Sequence, residues 1–185
     1  MLFNSHSELK GTHAFLSASS YHWINYDEDK LARMYVASMA AKRGTELHHF
    51  AHEAIRLGVK LPSTRRTLNL YVNDAIGFKM TPEQVLYFSP NAYGTADCIG
   101  FKRGVLRIFE LKTGLVEASV HQLEVYAALF CLEYLMNPFD IEFDLRIYQN
   151  DEVRMYKGEP DDILHIVDKI RVFDKVINQI RLEAT

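Results

Sequence analysis

Gly94-Thr95-Ala96-Asp97-Cys98-Ile99-Gly100-Phe101-Lys102-Arg103-Gly104-Val105-Leu106-Arg107-Ile108-Phe109-Glu110-Leu111-Lys112-Thr113-Gly114 is the stretch whose reading decides the fold. Arg103-Gly104 lies between two strand-like runs, Thr95 to Lys102 and Val105 to Lys112, and glycine at the second turn position suits a two-residue hairpin. Lys102 then pairs with Val105, and counting back along both strands places Asp97 opposite Glu110, with Cα atoms roughly 4.5–5.5 Å apart. Like charges so placed repel, and an ordinary sheet avoids the pair. A divalent cation with a preference for oxygen ligands removes the objection. Strand alternation puts Lys112 on the same face as Glu110, whereas Leu111 points the other way and leaves its backbone carbonyl near the metal. Ile99, Phe101, Leu106 and Ile108 share the face of the charged cluster. The cluster therefore caps an apolar patch, where burial strengthens its electrostatics.

Each charged group has a chemical part to play. Asp97 and Glu110 would ligate one or two metal ions, which polarise a scissile phosphate and lower the pKa of an attacking water. Lys112 would orient or help deprotonate that water, or stabilise charge building on the transition state. That is the equipment for metal-assisted hydrolysis of a phosphodiester. Taken alone, the short pattern also fits a solvated ion pair on an edge strand beside a turn aspartate.

The longer pattern resembles the PD-(D/E)xK nuclease superfamily, in its RecB-like and lambda-exonuclease-like branch. Beyond Asp97 and Glu110-Leu111-Lys112, Thr113-Gly114 continues that branch's lysine-threonine-glycine pattern. His121-Gln122-Leu123-Glu124-Val125-Tyr126 is similar to its glutamine-x-x-x-tyrosine helix. Upstream, Arg43-Gly44-Thr45-Glu46-Leu47-His48 is similar to the glycine-x-x-x-histidine helix, and Leu16-Ser17-Ala18-Ser19-Ser20 to the leucine-serine-x-serine opening. The resemblance implies an α/β fold, a restriction-endonuclease-like core with a central mixed β-sheet flanked by helices. It also implies His48 as an additional metal ligand beside Asp97, Glu110 and the Leu111 carbonyl, with Gln122 and Tyr126 supporting the site or contacting DNA.

The residues themselves are compatible with that transfer. Gln122 and Tyr126 are one helical turn apart and share a face, which Leu129 continues. His48 lies beside the apolar stripe of Leu47, Ala51, Ala54 and Ile55, where a lone histidine by itself reads as hydrogen-bonded structure. His48 and His52 have the spacing of a zinc pair, but His49 stands where a metalloprotease needs glutamate. His49 and His52 therefore read as surface or supporting residues. Glu83, on a strand-like run from Pro82 to Phe88, reads as a strand-edge or helix N-terminal charge; some members of the resembled branch carry an acidic residue there.

Composition sets the outer limits. With 185 residues and 48% hydrophobic content, the chain can bury one good core and suits a single domain over 1–185. No run is long and apolar enough to span a bilayer, and Asn4, His6 and Glu8 stand where a signal peptide needs a basic start and an apolar core. A cytoplasmic protein with no membrane partner is expected. Two cysteines, Cys98 and Cys131, supply neither a zinc nor a disulfide framework, and no iron-sulfur cluster is expected from them. A net charge of −3 counts against a nonspecific DNA-coating protein, but a nuclease needs only a local basic lining. Arg65-Arg66, Lys102-Arg103, Arg107 and Lys112 are the candidates.

Along the chain there is no repeat, low-complexity tract or linker. Leu16 to Trp23 opens the domain, with Ser17, Ser19 and Ser20 offering capping hydroxyls. Asp27 to Leu57 reads as helix, bent or split near Gly44 and stopped at Gly58. Ser63 or Thr64 caps a second helical segment reaching about Lys79. Strands follow at Gln84 to Phe88, Thr95 to Lys102 and Val105 to Lys112, then a helix from Glu117 to Met136 stopped by Asn137-Pro138. Ile141 to Gln149 and Val153 to Lys157 are further strands. Asp161 to Leu182 closes the chain with an apolar stripe of Ile163, Ile166, Val167, Ile170, Phe173, Val176, Ile177 and Ile180.

The function expected is that of an Mg²⁺- or Mn²⁺-dependent deoxyribonuclease, an exonuclease acting on free DNA ends in phage or bacterial recombination, replication or repair. Its other partners would be further copies of itself or a recombination protein. The alternatives are a structure-specific or nicking endonuclease of the same fold, and a non-catalytic nuclease-fold module that binds DNA or protein.

Overall fold

The computed structural model describes residues 13–184. The reading of Asn4, His6 and Glu8 lies outside them. The chain divides into two compact units, residues 1–43 and 44–185.

Within the first unit, a 3-10 segment runs over Ala18–Asn25. Its capping differs from expectation: Ser17 makes no side-chain cap, and its hydroxyl faces that of Ser19 at 3.2 Å. The Ser17 carbonyl instead accepts the Trp23 indole N–H at 2.9 Å. Helix α1, Glu28–Leu57, begins in this unit and ends in the second. Asp27 starts it by accepting the Lys30 amide at 2.7 Å, a side-chain N-cap. The helix is not split at Gly44. It ends where expected, with Gly58 in the left-handed region at φ 68°.

The second unit is α/β, a five-stranded mixed sheet with helices on both faces. After α1 come α2 (Thr67–Phe78), β1 (Thr81–Ser89), β2 (Ala92–Lys102) and β3 (Val105–Leu111). Helix α3 (His121–Glu133), β4 (Glu142–Gln149), β5 (Glu152–Lys157) and α4 (Pro160–Glu183) complete it. The strands lie in the order β1-β2-β3-β4-β5. All neighbours are antiparallel except β3 and β4, which are parallel and joined through α3. A parallel pair needs such a crossover. The sheet's two faces are separately packed. Leu86, Ala96, Ile99, Leu106 and Ile108 meet Leu123 and Ala127 of α3 and Ile163 and Val167 of α4. Cys98, Phe109, Leu111 and Tyr148 meet Ala51, Ala54 and Ile55 of α1 and Tyr71, Val72 and Ala75 of α2.

Two helix starts depart from the sequence reading because a distant residue supplies the end, and α3 stops at Glu133 rather than Met136, ahead of Leu135 in the left-handed region at φ 53°. Helix α2 starts at Thr67, not Ser63, because Asp151 accepts both the Thr67 amide at 2.8 Å and its hydroxyl at 3.1 Å. Helix α3 starts at His121, not Glu117, because residues 113–119 form a loop held by the buried Gln149. That amide donates to the Gly114 and Val116 carbonyls at 2.6 and 2.7 Å and accepts the Ala118 amide at 3.1 Å. Helix α4 buries only Ile163 and Val167, while Phe173, Val176, Ile177 and Ile180 of its expected stripe are exposed. Among the described residues no helix is long and apolar enough to cross a membrane.

Candidate active site

The hairpin forms in the expected register. Arg103 and Gly104 turn with positive φ, and pairing runs from Lys102–Val105 to Cys98–Phe109, one step short of Asp97 and Glu110. There the regular ladder stops. The Asp97 carboxylate takes over as acceptor, receiving the Leu111 amide on Oδ2 at 2.9 Å. On the other side, β1 pairs through Pro82–Cys98 and resumes at Gln84–Ala96, passing over Asp97 and leaving Glu83 across from it. Ala96 and Cys98 pack on opposite faces of the sheet, although residues two apart in a regular strand share one. The register is the same on both sides of Asp97, so the change of face comes from a local break in pairing without an inserted residue. Glu83 has φ 47°, a conformation that costs a non-glycine residue about 1–3 kcal/mol and persists only where its surroundings impose it.

Glu110 is the most constrained of the charged groups, at 2% exposure. Its Oε1 lies 2.7 Å from Lys112 Nζ, and its Oε2 is buried with no hydrogen-bond partner. Burial raises its pKa above the usual carboxylate value, the Asp97 charge adds to the rise, and the Lys112 ammonium only partly offsets them. Lys112 Nζ also donates to Gln122 Oε1 at 3.0 Å, and Gln122 Nε2 donates to the Tyr126 hydroxyl at 3.2 Å. The relay from β3 to α3 holds the ammonium from two sides.

His48, one turn beyond Gly44 on α1, brings Nδ1 to 3.5 Å from Asp97 Oδ2. That carboxylate raises the imidazole's pKa above the ordinary value, against the opposing effect of burial. Gly44 is required for the approach of α1: a Cβ there would lie 2.7 Å from Thr113 Oγ1. Gly94 has the matching place under α3, since its Cβ would meet Tyr126 Cε1 at 3.0 Å. Leu111 turns its side chain into the core on the α1 and α2 face, as alternation requires.

Every predicted site residue therefore belongs to one neighbourhood: His48, Asp97, Glu110, Leu111, Lys112, Gln122 and Tyr126. The structure adds two residues that the sequence reading held back. His52 Nδ1, buried and without a hydrogen bond, lies 3.5 Å from Glu83 Oε2, so helix α1 and strand β1 bring this pair together next to Asp97. The four-residue spacing of His48 and His52 carried a signal of a shared helix face, and the count along β1 placed Glu83. Gln149, whose amide fixes the loop between Lys112 and Gln122, was read only as the end of a strand. A polar residue following the apolar Ile147-Tyr148 at the buried end of the strand was the available signal.

The basic lining needs correction. Arg107 is not available to a polyanion: its guanidinium lies 4.7 Å from the Phe78 ring centroid and 3.3 Å from Asp144. Arg146 stacks on the same ring at 5.0 Å and shares Asp144, forming a closed structural cluster. Lys102 and Arg103 are at the hairpin tip, five residues and about 17 Å along the strand from Asp97. Lys112 stands at the site, against Glu110 and Gln122.

The donor set suits a hard divalent cation. Two carboxylates act on each other, an imidazole lies beside one of them, and the Glu110 oxygen without a hydrogen bond has unspent lone pairs. Among the described residues no group of three or more His, Cys, Asp or Glu is placed to hold a metal ion by itself. Mg²⁺ keeps several waters and is commonly held by one or two carboxylates together with substrate phosphate oxygens, so three protein ligands are not what it requires. Compared with protein-family models, with curated proteins and with solved structures, the chain matches none.

Proposed function

We propose that this chain is a metal-dependent DNA phosphodiester hydrolase of the PD-(D/E)xK type, acting as an exonuclease on free DNA ends. The observation that carries the reading is the buried Glu110, held by Lys112 through one oxygen and left without a hydrogen bond on the other, next to Asp97. A buried carboxylate with an unsatisfied oxygen costs free energy, and a bound ion completing it would remove that cost. The ordered elements from Leu16 to Tyr126 that resemble the nuclease superfamily point the same way. A cytoplasmic site of action, in a bacterium or a phage-infected cell, goes with this reading.

Asp97, Glu110 and His48 would hold Mg²⁺ or Mn²⁺, with the Leu111 carbonyl beside them. The bound ion would supply positive charge to the scissile phosphate and acidity to a coordinated water. Lys112, fixed by Gln122 and Glu110, presents its ammonium to the charge that develops on the phosphate as the bond to the leaving oxygen lengthens. Gln122 and Tyr126 keep that ammonium from swinging into solvent. Glu110's burial excludes water from one side of the reacting group, which strengthens each of these interactions.

The test is incubation of purified protein with linear and closed-circular DNA, in Mg²⁺ or Mn²⁺ and in chelator. Loss of only the linear form supports the exonuclease. Nicking of circles replaces it with an endonuclease of the same chemistry, and no metal-dependent loss of either form leaves a binding module.

A further inference from the structure

We propose that the exposed face of β1 and β2 next to Asp97 is a stacking platform for unpaired nucleobases, so that the site takes single-stranded DNA. The inference rests on the hydrolase reading for its substrate polymer, but its geometry is separate from the catalytic groups.

On β1, Glu83, Val85 and Tyr87 alternate outward, all exposed, while Leu86 between the last two is buried. On β2 the outward neighbours are Tyr93 and Thr95. The strand register sets Tyr87 directly across from Tyr93 and Val85 across from Thr95, with Glu83 and Asp97 next in line. The tyrosine rings are stacked, 6.3 Å between centroids and 29° between planes, and Tyr93 is 65% exposed. A cross-strand aromatic pair stabilises a hairpin, and this one does so while leaving ring surface open to solvent. Flat, open aromatic surface is what sequence-tolerant binders of single strands use, because every base has a π-face.

Two further observations favour this occupant. The platform is continuous with the candidate active site: four residues along either strand is about 13 Å, close to the length of four stacked nucleotides at roughly 3.4 Å each. It is also rigid. The hairpin tip is fastened to α4, where Asp174 accepts from the Ser89 hydroxyl at 2.5 Å and from the Asn91 amide at 2.8 Å. Behind it, Glu133 of α3 accepts the Tyr87 backbone amide at 2.8 Å. A surface fixed in this way loses little conformational entropy when a base stacks on it.

The test measures anisotropy of a labelled 20-nucleotide single strand and of an abasic strand of the same length, in chelator and again in Ca²⁺. The wild-type protein should hold the base-bearing strand about tenfold or more tighter than the abasic one. Tyr87→Ala/Tyr93→Ala should lose that difference, and Tyr87→Phe/Tyr93→Phe should keep most of it. Equal affinity for the two strands, unchanged affinity in the alanine pair, or no single-strand binding in either condition overturns the proposal. The wild-type comparison of strands needs no variant to fold. Base-dependent binding by a protein that cleaves nothing in Mg²⁺ or Mn²⁺ keeps the platform and removes the hydrolase; metal-dependent cleavage with tyrosine-independent binding does the reverse.

Discussion

Lys112 Nζ lies 2.7 Å from Oε1 of Glu110, while the same carboxylate's Oε2 is buried without any hydrogen bond. One oxygen is paired with a cation that the chain owns, and the other has no protein partner. The division of labour between these two residues sets the first expectation.

Lys112→Ala should lower DNA cleavage by roughly 10²–10⁴-fold, the range for a positioned acid-base or charge-stabilising group, while leaving Mn²⁺ binding largely intact. Asp97→Ala should remove both activity and metal binding, read by calorimetry with Mn²⁺. Wild-type cleavage by Lys112→Ala would exclude the assigned role. Full activity in His48→Ala would return that histidine to structure.

The imidazole of His48 should titrate above an ordinary histidine, because the Asp97 carboxylate beside it favours the charged form. In metal-free protein the pairing adds stability that is fully present below the unfolded-state pKa and is lost as pH rises through the raised one. An NMR titration of the ring should register the elevated value, and Asp97→Asn should bring it down. An unchanged titration in Asp97→Asn would place the cause elsewhere.

Gly44 faces two opposing effects. Alanine in a helix interior gains about 1 kcal/mol over glycine, but a Cβ here would sit 2.7 Å from Thr113 Oγ1. Gly44→Ala should therefore stabilise the protein more in a Thr113→Ala background than alone, a coupling readable from denaturation midpoints of the four proteins. Additive effects would mean that the helix and the loop do not press on each other.

Gln149→Leu removes one side chain that satisfies three backbone groups of the loop joining Lys112 to Gln122. Destabilisation of about 1–3 kcal/mol is expected, with new proteolytic cleavage between Thr113 and Ser119. Loss of loop order without loss of cleavage would show that the Lys112–Gln122 bond does not depend on it.

Burial pushes the thiol of Cys98 up to about 12 and that of Cys131 up to about 11. Both should resist iodoacetamide at pH 8 in the native protein and react on unfolding, since the thiolate is the reactive form. Rapid native labelling of either would contradict the burial.

Local pattern was sufficient for much of this fold. Arg103-Gly104 fixes a two-residue turn, and once that turn is set every cross-strand partner from Lys102 to Cys98 follows by counting, because hairpin register has no freedom left. Gly58 likewise stops α1 through backbone geometry that the residue carries with it. The candidate site was legible for the same reason: Asp97, Glu110 and Lys112 lie on one hairpin, and Gln122 and Tyr126 on one helix turn.

What depends on partners distant in the chain was decided only by tertiary structure. Asp151 moves the start of α2, Gln149 holds open the loop before α3, and Asp144 with Phe78 withdraws Arg107 from the surface. The departure of Asp97 from strand alternation belongs here too, since it arises where the β2–β3 ladder ends and the β1–β2 ladder skips one pair. Short-range geometry is set by the torsional preferences of neighbouring residues, which the sequence states directly. Helix ends, buried polar contacts and the aim of a charged side chain are set by whichever remote group arrives to satisfy a hydrogen bond, and that is fixed only when the chain has packed.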